Sequence, residues 1–112
     1  MKKIEAIIRP EKLEPVRSAL AEVGVFGITV TEVSGRGRQG GICLQWRAGE
    51  YKVEFLPKVK IEAVVIDEDV GKTLNAIVRK ARTGERGDGK IFILPVENAV
   101  RVRTGDEGEN AI

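Results

Sequence analysis

The sequence contains no histidine and only one cysteine, Cys43. Without histidine, the chain lacks the usual general base at neutral pH and the commonest transition-metal ligand. A single cysteine cannot form an internal disulfide, so the fold depends on packing and suits a reducing compartment. Aromatic residues make up only 4% of the chain, which is few for a surface that stacks nucleic-acid bases. These shortages argue against histidine-dependent enzymes and base-stacking proteins.

Long hydrophobic runs and a strong net charge are also lacking. No apolar run approaches the ~20 residues that span a bilayer, and the basic N-terminus leads into an alternating segment rather than a secretion signal. The net charge of +2 is too small to attract nucleic acid in bulk. With 112 residues, of which 42% are hydrophobic, the chain has the length of one compact domain. We therefore expect a single cytoplasmic domain over residues 1–112.

Two hydrophobic periods alternate along the chain. Alternation of period two and β-branched residues predict strands at residues 3–8, 25–33, 59–65 and 90–94. Helical spacing predicts one helix that begins at Pro10 and another that begins at an N-cap, Asp67. The order βαββαβ predicts an α+β fold of the ferredoxin-like type, in which an antiparallel sheet carries two helices on one face.

Two segments lack this periodicity. Residues 34–51 are rich in glycine and predict a long mobile loop between the second and third strands. A connection of this length in a small domain is usually functional. Residues 105–112 begin with an acidic, glycine-containing stretch that predicts a flexible tail.

Residues 84–90 read GERGDGK and match the GxxxxGK core of a P-loop. However, Ile91 replaces the Ser or Thr whose hydroxyl binds magnesium, and the segment follows a predicted helix and precedes a strand, the reverse of a P-loop. Its glycines still allow amides to approach phosphate oxygens, and Lys90 adds charge. The alternative interpretation is a tight glycine-stabilised turn.

Two further clusters combine arginine with glycine or extended backbone. Residues 35–40 read GRGRQG, but no predicted helix follows to hold a pyrophosphate. Arg101 and Arg103 lie two residues apart in a segment predicted to be extended, so both guanidinium groups should project from one face and clamp a polyphosphate. Solvated surface charge is the alternative in each case. Together the clusters predict a binding site for a phosphate-bearing nucleotide.

No activated nucleophile is evident, so we do not expect an enzyme. The acids are scattered, and Asp88 is expected to stabilise a turn rather than to act in catalysis.

Seven segments, taken in order, resemble the PII nitrogen-regulatory signal proteins. They are residues 29–33 (TVTEV), 35–39 (GRGRQ), 50–51 (EY), 55–60 (FLPKVK), 81–84 (ARTG), 87–92 (GDGKIF) and 101–105 (RVRTG). The resemblance covers essentially the whole chain. It implies a homotrimer of ferredoxin-like subunits that binds ATP or ADP in the clefts between neighbouring subunits.

The resemblance also implies a set of ligand-binding residues. The set is Thr29, Gly35, Gly37, Arg38, Gln39, Lys58, Val64, Gly87, Asp88, Gly89, Lys90, Arg101 and Arg103. Thr29 and Val64 would lie near the adenine, residues 87–90 around the ribose and phosphates, and the three arginines on the phosphates. With ATP, 2-oxoglutarate would bind through a shared Mg²⁺ to which Gln39 supplies a ligand, while Lys58 would pair with its distal carboxylate.

Residues 37–55 would be the loop through which the family regulates partner proteins. Tyr51 matches a tyrosine that some lineages nucleotidylate, and Arg47 a loop arginine that enters the mouth of an ammonium channel. The expected partners are an ammonium transporter or an enzyme of nitrogen metabolism. We expect no nucleic acid, and contact with the membrane only through a transporter.

The chain departs from the family pattern in and near this loop. The departures are Glu11, Arg36, Gly40, Cys43, Leu44, Trp46 and Gly49. They leave the nucleotide residues intact and alter the surface that a partner would read.

Two alternatives belong to other classes. A ferredoxin-like RNA-binding module could use Arg36 and Arg38 as an Arg/Gly-rich arm, but Phe92 is the only aromatic near a suitable strand. A small phosphatase on the same fold lacks a histidine and an evident nucleophile.

Overall fold

The computed structural model describes residues 1–37, 42–46 and 49–112, with the backbone alone at 42–46 and 50–53. The regular elements are β1 Lys2–Ile8, α1 Leu13–Glu22, β2 Thr29–Gly35, β3 Ile42–Trp46, β4 Gly49–Val53, β5 Leu56–Val65, α2 Val70–Ala81 and β6 Gly89–Pro95. Of the helices among these residues, none is long and apolar enough to cross a membrane.

Four of the strands form one antiparallel sheet in the order β2-β5-β1-β6. In its register, Ile4 lies opposite both Ala63 of β5 and Ile93 of β6. This topology confirms the ferredoxin-like prediction. Strand β1, near the N-terminus, pairs with both β5 and β6. The sheet therefore joins segments that are distant in sequence.

The core lies between the sheet and the two helices because the strands alternate apolar and polar residues. Alternate residues of β1 and β5 are buried on one face, where they meet the apolar stripes of the helices. The buried hydrophobic residues are Ile4, Ala6, Ile8, Val16, Ala19, Leu20, Val25, Val59, Ile61, Ala63, Val65, Ala76, Ile77 and Ala81. The opposite face of the sheet carries Lys3, Lys60 and Glu62, which form ion pairs there.

The starts of several elements differ from the sequence prediction. Each helix is preceded by a one-turn 3₁₀ helix, Pro10–Lys12 or Asp67–Asp69. The prediction of Asp67 as an N-cap was wrong: Ile66 is the N-cap of the 3₁₀ helix and Asp69 that of α2, and the Asp67 carboxylate lies 3.0 Å from the N-terminal ammonium. Strand β2 begins at Thr29 rather than Val25, because the Val25 amide donates to the Leu20 carbonyl at the end of α1.

The long connection between the core strands β2 and β5 contains an additional hairpin. Strands β3 and β4 pair antiparallel, with Ile42 opposite Val53 and Trp46 opposite Gly49. These strands were not predicted, because the surrounding glycines obscured a short alternation of Ile42, Leu44 and Trp46. The mobility of this connection stays a prediction.

The prediction that residues 100–103 are extended was wrong. A bridge between Val100 and Glu107 closes a turn in which the Arg101 amide donates to the Asp106 carbonyl at 2.8 Å and the Gly105 amide donates to the Arg101 carbonyl at 2.7 Å. Gly105 has a φ of 76°, which allows the chain to reverse. A 3₁₀ helix, Gly108–Ala111, follows within the tail, whose flexibility stays a prediction.

Candidate ligand-binding site

We call residues 83–90 the glycine loop. They follow the end of α2 and include the first two residues of β6. Gly87 and Gly89 have φ values of 94° and 108°, a region that favours glycine. A Cβ on Gly89 would lie 1.8 Å from the Ile7 carbonyl oxygen of the neighbouring strand. The position therefore requires glycine, and the loop is held close against the end of β1.

Asp88 organises the glycine loop from within. One carboxylate oxygen accepts hydrogen bonds from the amides of Thr83 and Gly84, both at 2.9 Å, and the other accepts from the Thr83 hydroxyl. These bonds, led by that from the Thr83 side chain, hold the pKa of Asp88 well below its usual value. The predicted turn role of Asp88 is confirmed.

Two cations from distant parts of the chain converge on the glycine loop. The Arg9 guanidinium donates to the Asp88 carboxylate at 3.2 Å and to the Arg86 carbonyl at 2.7 Å. The Lys58 ammonium donates to the Gly87 carbonyl at 2.5 Å. Burial, followed by repulsion from Arg9, lowers the pKa of Lys58.

The fold thus brings together several of the residues that the sequence analysis singled out. Lys58 contacts the loop that carries Gly87, Asp88, Gly89 and Lys90. Gly35 belongs to the same group, because a Cβ there would lie 3.5 Å from Cγ of Lys58. Lys58 lies 29 residues from Gly87 in sequence, so β5 positions its side chain at the loop through the sheet.

Arg9 is the functional candidate that the sequence analysis missed. It is 79 residues from Asp88, and no local motif includes it. The pairing of the two strands could have indicated Arg9, because Ile8 pairs with Gly89 in the antiparallel register of β1 and β6. The next step of that register places Arg9 opposite Asp88.

A cleft of about 320 Å³ lies beside the glycine loop. We call it the glycine-loop cleft. Ile77, Val78 and Ile91 line its apolar part, while Arg82 and Lys90 bring positive charge to it. An apolar wall next to cations and glycine-loop amides suits a ligand with both a flat apolar part and an anionic part.

Other predicted ligand residues lie elsewhere in the single chain. Thr29 and Val64 line a second cleft, of about 460 Å³, together with Glu109 and Ile112 of the C-terminal segment. We call it the C-terminal cleft. Arg101 and Arg103 lie in the closed turn and line neither cleft. One chain therefore does not unite the whole predicted set.

Several predictions fall on residues without a described position or side chain. Arg38, Gln39 and Arg47 lie outside the described residues, and the backbone of Tyr51 belongs to β4 while its side chain is not described. Gly37 is among the described residues. It comes after Arg36, which is the first residue beyond the end of β2. The roles of these residues stay predictions.

The donor set of the described site suits an anion. Both oxygens of Asp88 already accept hydrogen bonds from the protein, and the residues around it supply cations and amides. In the described part of the chain, no three His, Cys, Asp or Glu side chains are grouped to hold a metal ion. A Mg²⁺ ion would fit here through the oxygens of a bound polyphosphate, because magnesium is commonly held by phosphates with one or two protein ligands.

Comparison with known proteins gives matches along nearly the entire chain. The family model described as nitrogen regulatory protein P-II matches residues 1–106. Nitrogen regulatory protein P-II of Pasteurella multocida is 57% identical over 112 residues, covering 100% of both chains. Nitrogen regulatory protein P-II 1 of Escherichia coli K12 is likewise 57% identical over the full length of both chains. Nitrogen regulatory protein P-II 2 of Methanothermobacter thermautotrophicus is 56% identical over 100% of this chain and 97% of the relative.

Proposed function

This chain belongs to the PII family of nitrogen regulatory proteins, and we propose that it senses energy, carbon and nitrogen status by binding ATP or ADP and, together with Mg-ATP, 2-oxoglutarate. Membership makes it a regulatory signalling protein that interacts with partner proteins. The proposal adds the ligands, the subunit arrangement and the output surface.

The observation that carries the proposal is the contact between the Lys58 ammonium and the Gly87 carbonyl. It joins the residue expected to bind a carboxylate to the loop expected to surround nucleotide phosphates. Among the described residues, the Lys58 ammonium donates to the Gly87 carbonyl, whereas Arg9 beside it is paired with the Asp88 carboxylate. An ammonium that is bonded to a carbonyl can exchange that partner for a ligand carboxylate, which is a stronger acceptor.

The nucleotide would occupy clefts between three copies of the chain. Thr29 and Val64 line the C-terminal cleft, and residues 88–90 line the glycine-loop cleft. Surfaces from two copies would together supply both groups to one ligand. Arg101 and Arg103 would then reach the phosphates together with Lys90 and Arg38. Arginine suits this role because its planar fork binds phosphate oxygens in pairs.

Binding of 2-oxoglutarate would depend on the nucleotide. Mg²⁺ held by ATP would supply a Lewis-acidic centre that a 2-oxo acid chelates. Gln39 would contribute a ligand oxygen, and Lys58 would bind the distal carboxylate. Since both ligands contact the same glycine loop, occupancy by one changes affinity for the other.

The output would be delivered by the hairpin of β3 and β4, which lies between β2 and β5 in the chain and forms a separate two-stranded sheet. We propose that Arg47 and Tyr51 contact a partner such as an ammonium transporter or an enzyme of nitrogen metabolism, and that Tyr51 is the candidate site of modification. The protein would act in the cytoplasm, by binding rather than by catalysis.

The RNA-binding alternative gains no support from the sheet. Phe92 is the only aromatic residue in the four strands of the main sheet, and its side chain is half exposed. RNA-binding sheets of this topology stack two or three bases on strand aromatics. One ring is insufficient for that function.

The test is the thermal unfolding midpoint with Mg-ATP, with and without 2-oxoglutarate. A ligand at ~100 times its dissociation constant stabilises the folded state by about 2.7 kcal/mol, so Mg-ATP should raise the midpoint and 2-oxoglutarate should raise it further only when Mg-ATP is present. The mass in solution should be about three times the 12.3 kDa of one chain. Absence of any shift with Mg-ATP would refute the proposed function.

A further inference from the structure

Arg9 occupies a fixed position at the end of β1. It precedes Pro10 and has φ −63° and ψ 139°, the extended conformation that a following proline favours. Its side chain is 25% exposed. Both its backbone and its guanidinium group are therefore held in place before any ligand binds.

The Arg9 guanidinium bridges two points on either side of Gly87. It donates through Nη2 to the Arg86 carbonyl and through Nε to the Asp88 carboxylate. A planar guanidinium fixes the directions of both bonds at once. Arg9 therefore fixes the orientation of the peptide group before Gly87 and of the Asp88 side chain after it.

The same glycine lies between Arg9 and Lys58. A Cβ on Gly87 would lie 3.4 Å from Nη2 of Arg9 and 3.6 Å from Nζ of Lys58. Among the described residues, Arg9 is the cation that is paired with Asp88. Arg9 therefore competes with Lys58 for this carboxylate, which attracts the Lys58 ammonium as Glu11 also does.

We infer that Arg9 is a positioning residue that couples the nucleotide subsite at the glycine loop to the carboxylate subsite at Lys58. The inference rests on the proposed function. Arg9 holds residues 86–88 in the orientation that faces a nucleotide, and it leaves Lys58 available to a second, carboxylate-bearing ligand. Without Arg9, the Asp88 carboxylate would be able to pair with Lys58, and the two subsites would respond to their ligands separately.

The experiment measures the Kd of Mg-ATP by calorimetry with and without 2-oxoglutarate, in the wild type and in Arg9→Gln. Changes at residues that carry coupling alter it by about 0.5–2 kcal/mol, or roughly 2- to 30-fold. We expect the tightening of Mg-ATP binding by 2-oxoglutarate to fall by a factor in that range. An Arg9→Gln protein whose ratio of the two Kd values equals that of the wild type overturns the inference.

Two further variants separate positioning from folding. Arg17→Gln removes an equal charge from an exposed pair with Glu14 on α1 and should keep the wild-type ratio of Kd values. Arg9→Lys retains the charge but not the two fixed donor directions, so it should restore the coupling only in part. If Arg9→Gln does not fold, Arg9→Lys decides the question, and a full wild-type ratio in that variant overturns the inference.

Failure of the proposed function gives a different result. A wild-type protein that binds no Mg-ATP, or whose Mg-ATP affinity does not respond to 2-oxoglutarate, refutes the proposed function and the coupling role together. A wild type that couples the ligands while Arg9→Gln couples them equally well refutes only the role of Arg9.

Discussion

The glycine loop and the turn at residues 100–107 both carry cations proposed to bind phosphate, but they are held in different ways. Arg9 and Lys58, which are 77 and 29 residues from their bonding partners in the loop, brace the glycine loop. The turn is held by local bonds, such as that of the Thr104 hydroxyl to Asp106 two residues away. Long-range bonds fix a segment relative to the core, whereas local bonds fix only its internal shape.

This difference indicates which half of the proposed site exists before the ligand binds. The glycine loop is anchored to β1 and β5, so its amides and Lys58 are arranged within one chain. Arg101 and Arg103 are exposed or only half buried and line neither cleft. Under the proposed function, their arrangement around a phosphate would depend on a neighbouring copy and on the ligand.

The largest effect is expected from Gly89→Ala. Its Cβ would overlap the Ile7 carbonyl, and the residue would keep a φ of 108°. Backbone strain and overpacking each cost on the order of 1–3 kcal/mol, so we expect a loss of about 3 kcal/mol in the free energy of unfolding. Urea denaturation measures this loss.

The matched control for that change is Gly105→Ala in the turn. Gly105 also has a positive φ, 76°, but nothing lies within 4 Å of its Cβ position. The Gly105→Ala variant should lose only about 1–2 kcal/mol in its free energy of unfolding, which is the cost of the left-handed conformation. Equal losses in the two variants would show that the glycine loop is no more tightly constrained than the turn.

The paired change Arg101→Ala and Arg103→Ala tests the turn as a ligand-binding region. A hydrogen bond to a charged group contributes about 1.5–3 kcal/mol, so we expect Mg-ATP to bind at least tenfold more weakly in a trimer that still assembles. The unfolding midpoint without ligand should change little, because the bonds that close the turn come from backbone groups of residue 101. Calorimetry and the mass in solution measure the two properties, and an unchanged ATP affinity would remove both arginines from the proposed site.

Sequence reasoning predicted the elements that depend on regular periodicity. Two such patterns consist of residues that are buried in the core. They are the alternation of Ile4, Ala6 and Ile8 in β1 and the apolar stripe of α2 that includes Ala76 and Ile77. The convergence of Lys58 on Gly87 was expected only through the family resemblance, since no local pattern connects them.

The extended segment predicted at residues 100–103 was wrong because one local signal overrode another. Val100 and Val102 alternate with arginines and favour a strand, but Gly105 reverses the chain and the local bonds of Thr104 and Asp106 close a turn. Arg9 was missed for the opposite reason, because its contacts are entirely long-range. A register derived from the predicted topology would have recovered Arg9, whereas nothing in the period of residues 100–103 indicates the turn.

The smallest effect is expected from Asp88→Asn, and it should depend on pH. The hydrogen bonds from Thr83 and Gly84 lower the pKa of the folded-state carboxylate from its ordinary 3.8. A group with a depressed folded-state pKa stabilises the protein above its unfolded-state pKa, and this contribution disappears as the pH falls through the folded-state value. The wild type should therefore be more stable than Asp88→Asn at pH 7, and the difference should shrink as the pH falls below about 4. Thermal unfolding of both proteins between pH 7 and pH 2 measures this difference. The amides of Thr83 and Gly84 donate to the same carboxylate oxygen, so the Asn oxygen can still accept from both, while the charge that Arg9 binds is lost. A difference that does not change with pH would mean that shape, and not the Asp88 charge, braces the glycine loop.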